Sequence, residues 1–213
     1  LSLANAFSEA DILAFGERLH RILGSDAPIR FIVEPKVDGV AVGLTYARGV
    51  LTAGATRGDG QTGEDITPNI RTLPDVPLRL RARPDRPCPD FLEVRGEVYM
   101  ERAAFEVLNR RRLRSGEPPF ANPRNAAAGA LRQLDSRVTA RRPLKMFCYA
   151  IGAADGLPPF STHGDVLDAL SRWGFPVNPE IHGALEIPEC IAAYRRIGAI
   201  RNTLPYEIDG VVL

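Results

Sequence analysis

The stretch from Phe31 to Val42 limits the folds open to this chain. Two apolar runs of strand type, Phe31-Ile32-Val33 and Val40-Ala41-Val42, flank Glu34-Pro35-Lys36-Val37-Asp38-Gly39. A carboxylate, an amine and a second carboxylate must therefore be presented between two segments that both need burial. Lysine is scarce: of 27 lysines and arginines, only Lys36 and Lys145 are lysines. Arginine keeps its proton in proteins and cannot serve as an amine nucleophile. Setting one of two lysines between these runs fits a need for a deprotonatable amine. The plainer reading is a surface lysine at a hairpin mouth closed by an Asp-Gly turn, the commonest short hairpin signal.

With 213 residues, 45% of them hydrophobic, the chain has material for one large domain or two small lobes. A net charge of +1 supplies no overall field toward nucleic acid or membrane. Arginines cluster locally, at Arg79, Arg81, Arg83 and Arg86, at Arg110, Arg111, Arg112 and Arg114, and at Arg137, Arg141 and Arg142. Each cluster is either a phosphate-contacting patch or a solvated face. Cys88, Cys148 and Cys190 are odd in number and far apart, which argues against a disulfide framework or a structural zinc site within the chain. His20, His163 and His182 have no ligand spacing. There is no signal peptide and no apolar run of bilayer length, so a cytoplasmic setting is expected. The start at Leu1 without methionine and the finish at Leu213 inside an apolar run read as a piece of something longer.

Local patterns predict an α+β chain. Ser8 with Asp11 marks a helix start and Gly24 its stop, with Ile12, Phe15, Leu19, Ile22 and Leu23 at helical spacing. Strands over Val40 to Tyr46 and Val50 to Thr56 flank a short loop, Ala47-Arg48-Gly49. A glycine-rich stretch from Thr56 to Thr67 allows close backbone approach to a ligand, or is simply a mobile acidic loop. Thr67-Pro68 reads as a cap and a first helical turn, and a proline-rich connector runs from Pro84 to Pro89. Phe91 to Met100 alternates, with Leu92, Val94, Gly96 and Val98 on one face and Glu93, Arg95, Glu97 and Tyr99 on the other. That polar face points to solvent or lines a cleft. Helices are expected over Arg102 to Arg114, Phe120 to Leu134, Gly164 to Trp173 and Glu189 to Arg196, with a strand over Lys145 to Ile151. Hairpins mixed with helices favour α+β over a parallel array.

Taken with these residues, the chain resembles the adenylation (nucleotidyltransferase) domain of the NAD-dependent bacterial DNA ligases. Lys36-Val37-Asp38-Gly39 is similar to the Lys-x-Asp-Gly signature of covalent nucleotidyltransferases, a weak motif alone. Longer blocks are more specific: Ala55-Thr56-Arg57-Gly58-Asp59-Gly60 through Gly63-Glu64-Asp65-Ile66-Thr67, Val94-Arg95-Gly96-Glu97-Val98, and Ala121-Asn122-Pro123-Arg124-Asn125-Ala126-Ala127-Ala128-Gly129. Ile208-Asp209-Gly210-Val211-Val212 resembles a fourth. The fold implied is α+β, with antiparallel or mixed sheets flanked by helices, of the DNA ligase and mRNA capping enzyme type (ATP-grasp-like).

The resemblance also implies roles. Lys36 would attack the α-phosphorus of NAD, expelling nicotinamide mononucleotide and leaving lysyl-AMP, with magnesium and arginines offsetting phosphate charge. Partial burial and cations such as Arg57 would favour the neutral amine. Glu34 would accept from the adenine exocyclic amine and Tyr149 would stack on the ring. Glu97 and Arg57 would reach the ribose and phosphates, and Ser2 and Leu3 would touch the nucleotide. Asp38 either acts chemically or shapes the turn; Asp209 either works near metal and phosphates or makes a turn. Metal ligands stay unassigned, with Glu97 a candidate. Arg124, Arg132 and Arg201 match positions facing DNA, or they pair within the chain. The partners implied are NAD and nicked double-stranded DNA, with no membrane and a monomeric chain. The nicotinamide-binding, oligonucleotide-binding, zinc, helix-hairpin-helix and BRCT modules of the family, zinc included, would lie outside this chain. Other readings are an ATP-dependent ligase or capping-type enzyme, and a non-catalytic module binding DNA through its arginines.

Overall fold

The computed structural model describes residues 5–58, 63–81, 88–157 and 159–213. Ser2 and Leu3, residues 59–62 of the glycine-rich loop, and Arg83, Pro84 and Arg86 of the arginine-rich connector lie outside them. The elements in order are α1 (Glu9–Leu23), β1 (Phe31–Val37), β2 (Val40–Ala47), β3 (Val50–Thr56), α2 (Thr67–Ile70), β4 (Phe91–Met100), α3 (Arg102–Arg114), α4 (Pro123–Leu131), α5 (Ser136–Ala140), β5 (Leu144–Asp155), α6 (His163–Trp173), β6 (His182–Leu185), α7 (Ile187–Ile200) and β7 (Ile208–Val212).

Most local signals act as expected. Ser8 and Asp11 form a capping box at α1, and Gly24 closes it in the left-handed region. Ala47 extends β2, which reduces the β2–β3 loop to Arg48-Gly49, both with positive φ, as a two-residue hairpin requires. Three expectations need correction. Thr67 is the first residue of α2 rather than its cap: its hydroxyl accepts from Gly54 N at 2.9 Å and donates to Asp65 Oδ1 at 2.6 Å instead of receiving a helix N–H. The helix expected within Phe120 to Leu134, with Pro123 in its first turn, does start there, where the Asn122 side chain accepts from Asn125 N, but it stops at Leu131, and α5 follows as a separate turn. The helix expected over Glu189 to Arg196 runs longer, from Ile187 to Ile200.

The largest departure concerns the two strands around Lys36. They do not form a hairpin. β1 lies in a three-stranded antiparallel sheet, β6-β1-β7, and β2 lies in a four-stranded antiparallel sheet, β3-β2-β4-β5. Asp38-Gly39 carries the chain from one sheet to the other. The Asp38 N–H donates to Glu207 O, and a Cβ at Gly39 would overlap the Val98 carbonyl oxygen. Backbone crosses backbone there, and only glycine leaves room. Pro35 is tolerated in β1 because the β6 pairing ends at Val33, leaving one side of the strand without a neighbour to receive a donor.

Each sheet has its own core. The inner face of the larger sheet (Leu44, Tyr46, Leu92, Val94, Val98) packs against Ala126, Ala127, Ala130 and Leu131 of α4 and Leu170 and Trp173 of α6. Alternation along β1 buries Val33 and Val37 against Cys190, Ala193 and Ile197 of α7. An aromatic seam joins the two. Tyr99 of β4 stacks on Phe147 of β5 at 5.0 Å between centroids, and both meet Tyr206, just before β7, edge-on. Tyr99 therefore departs from its polar-face neighbours: it is buried, because the second core closes over that end of β4.

Candidate active site around Lys36

Period-two alternation sends Glu34 and Lys36 to the face of β1 opposite Val33, Pro35 and Val37. The register between β1 and β7 slips at this point. Lys36 pairs with Gly210 and Val37 with Ile208, so Asp209 is the extra residue of a bulge. The bulge aims its carboxylate at the lysine, with Nζ 2.7 Å from Oδ2 and 2.9 Å from Oδ1. The charged partner of Lys36 is thus this carboxylate, where the sequence had suggested a cationic surround led by Arg57.

Tyr149 arises from the same device. Arg95 pairs with Ala150 and Gly96 with Cys148, which makes Tyr149 the extra residue in β5. Burial pushes its phenol up, the Glu97 carboxylate adds to that, and Arg57 and Arg95 oppose it. Those three charged groups all act electrostatically on the phenol. Arg57 also donates its backbone N–H to Ala41 O. On the outer face of the large sheet, small residues (Ala41, Gly43 and Ala55) stand beside Arg95 and Glu97 by register. A Cβ at Gly43 would meet open space. The face is an accessible floor with charged walls.

Glu97 is the electrostatic oddity. Burial pushes its carboxyl up to about 7 from an ordinary 4.5, against the opposing pull of Arg124, Lys36 and the Gly39 N–H. A carboxyl in that range near a lysine is a common mark of a working site. Both Lys36 and Asp38 act on it, so the two sheets meet electrostatically at this residue. Among the described residues no group of three His, Cys, Asp or Glu side chains could hold a metal alone. A cavity of about 150 Å³ lined by Gly16, His20, Phe31 and Ile187 lies at the other end of β1, away from Lys36.

The remaining expected residues divide. Asp38 is bonded to Arg124 Nη1 at 3.0 Å, and Arg132 to Glu64 at 2.7 Å, so both arginines pair within the chain. Arg201 is exposed at the C-terminal end of α7. Arg124 and Arg201 belong to elements packed on different sheets. One contact was absent from the sequence reading: His163 Nε2 lies 2.6 Å from Glu34 Oε1. The partners are 129 residues apart, and no local spacing could have linked them.

The chain matches a family model along its whole length. That model describes the NAD-dependent DNA ligase adenylation domain and covers residues 1–213. Similar curated proteins include the DNA ligase of Syntrophus aciditrophicus, 61% identical over 213 residues, which takes in 100% of this chain and 32% of that protein. The DNA ligase of Geobacter sulfurreducens is 54% identical over 215 residues and that of Marinobacter nauticus 53% over 212, with 32% and 31% of those proteins covered. The chain thus spans about a third of the length of these relatives. No helix among the described residues is long and apolar enough to cross a membrane. With Lys36 near the end of β1, just before the crossing between the two sheets, this chain, matched from end to end, belongs to the NAD-dependent DNA ligase adenylation domain family.

Proposed function

We propose that Lys36 is the nucleophile of a self-adenylation reaction in which NAD is the substrate. The Nζ lone pair attacks the α-phosphorus, an N–P bond forms, and the bond to nicotinamide mononucleotide breaks. The amine must shed a proton, and the Asp209 carboxylate at 2.7 Å is positioned to take it. That contact is the observation that carries the reading. Asp38 keeps Arg124 beside the site, where the guanidinium would offset phosphate charge once an anion enters. Glu34 would accept from the adenine exocyclic amine, Tyr149 would stack on the ring, and Glu97 and Arg57 would contact ribose and phosphate. Ser2 and Leu3 would complete the nucleotide contacts.

Magnesium fits as an ion held by Glu97 with substrate oxygens and water rather than by a protein cage, and it would offset phosphate charge. In the whole protein the AMP would pass to the 5′-phosphate of a DNA nick. Arg124, Arg132 and Arg201 would face that DNA, the first two after exchanging their present carboxylate partners. A nucleotidyltransferase fold of the ligase and capping-enzyme type, a cytoplasmic setting and a monomeric state belong to the same reading.

The chain alone is expected to bind adenine nucleotide, form little adduct from NAD and seal no nicks. Intact mass after incubation with NAD and magnesium, with and without a nicotinamide-binding domain in trans, tests this. Adduct should rise when the domain is added and vanish in Lys36→Ala. An AMP adduct that survives Lys36→Ala overturns the assignment.

A further inference from the structure

We infer that His163 is the positioning residue for Glu34, and through it sets the selectivity of this site for a purine bearing a 6-amino group. The inference rests on Glu34 being the adenine acceptor proposed above.

An ionised carboxylate only accepts hydrogen bonds, so the 2.6 Å contact to Glu34 Oε1 requires a proton on His163 Nε2. The bond fixes which way the carboxylate turns. Among the described residues no second hydrogen bond reaches the Glu34 carboxylate, so Oε2 is left to receive an N–H from outside. The Glu34 side chain is only 15% exposed against 40% for His163, so the carboxylate lies inward and the imidazole backs it from the rim. A carboxylate with one oxygen tied and one directed has lost the rotational freedom that would let it turn toward a different base edge.

His163 is itself well held. It opens α6, whose start is fixed by the Thr162 and Asp165 capping box. Leu170 and Trp173 bury the same helix in the larger core. A Cβ built at Gly164 would lie 3.9 Å from Ile32 Cδ1, so the helix start rests on β1 two residues from Glu34. The two sheets are thus tied at Glu34 by a side chain that nothing in the reacting group needs to touch.

A purely structural tie would change stability alone. A positioning role changes the preference for AMP over purine riboside 5′-monophosphate, which lacks the 6-amino group. Calorimetric titration of the 213-residue chain with both nucleotides measures that preference. It should be about tenfold or more in the wild type, as expected for a hydrogen bond to a charged acceptor. Glu34→Gln and His163→Ala should each reduce it to roughly threefold or less, and the double variant no further, as residues acting through one contact do. His163→Gln, which can return an N–H to the same oxygen, should restore most of it, with thermal unfolding confirming that each variant is folded. If Glu34→Gln loses the preference while a folded His163→Ala keeps it, the His163 inference is overturned and the adenine reading stands. If the wild type shows no preference, or Glu34→Gln keeps it, the assignment of Glu34 fails and this inference with it.

Discussion

The two sheets carry their charged residues on different terms. On the smaller sheet, Lys36 and Asp209 form an ion pair with side chains 48% and 41% exposed. On the larger one, Glu97 is buried enough to hold its proton to about 7, and Tyr149 is pushed the same way. The first pair adds little to folding, since exposed ion pairs are worth about 0–1 kcal/mol. The second group sits at a cost to folding that the surrounding core must offset. The amine proposed above as the nucleophile is held by a weak, exposed contact, whereas Glu97 is built into a strand of the larger sheet.

Substitutions can break or sharpen this contrast. The crossing between the sheets should be the most sensitive point. Gly39→Ala would press a methyl group into the Val98 carbonyl and the Glu97 side chain, and backbone cannot yield there as a side chain would. A loss of about 3 kcal/mol in urea unfolding is expected. A value near zero would mean that the sheets are not pinned at this residue.

Glu97→Gln should go the other way. The folded carboxyl keeps its proton up to about 7 while the unfolded one releases it near 4.5. Across that window the unfolded chain binds fewer protons, so wild-type stability falls as pH rises. Glutamine removes the dependence and should be the more stable form at pH 8, on the order of 2 kcal/mol. Urea midpoints from pH 4.5 to 8 check it; parallel curves for the two proteins would refute the buried-acid description.

Asp209→Asn should have the smallest effect on folding, under about 1 kcal/mol, while removing the group proposed to accept the Lys36 proton. Unfolding and intact-mass adduct assays on the same preparation separate the two effects. A large stability loss would show that the smaller sheet relies on this pair, against the contrast drawn above.

Local chemistry could be read residue by residue. The Ser8 and Asp11 cap, the Arg48-Gly49 hairpin and the alternation of β4 are settled by neighbours a few residues away. The same alternation places Glu34 with Lys36, and Glu93, Arg95 and Glu97 together. The Asp-Gly hairpin reading failed because turn propensity is local, whereas the partner of β1 is 173 residues away in the case of Lys36 and Asp209. Tyr99 broke its polar pattern because a second core, invisible along the strand, closed over it.

By itself the sequence determined most of the element types, though not α5 or β6, the sharing of a face by Glu34 and Lys36, and the motif blocks that the family match then covered from end to end. Tertiary structure alone decided that β1 and β2 enter different sheets and that bulges bring Asp209 and Tyr149 forward. It also decided that Asp38 meets Arg124 and Glu34 meets His163. The reason is physical: strand register and ion-pair partners are set by which surfaces bury together, and that choice belongs to the assembled chain rather than to any stretch of it.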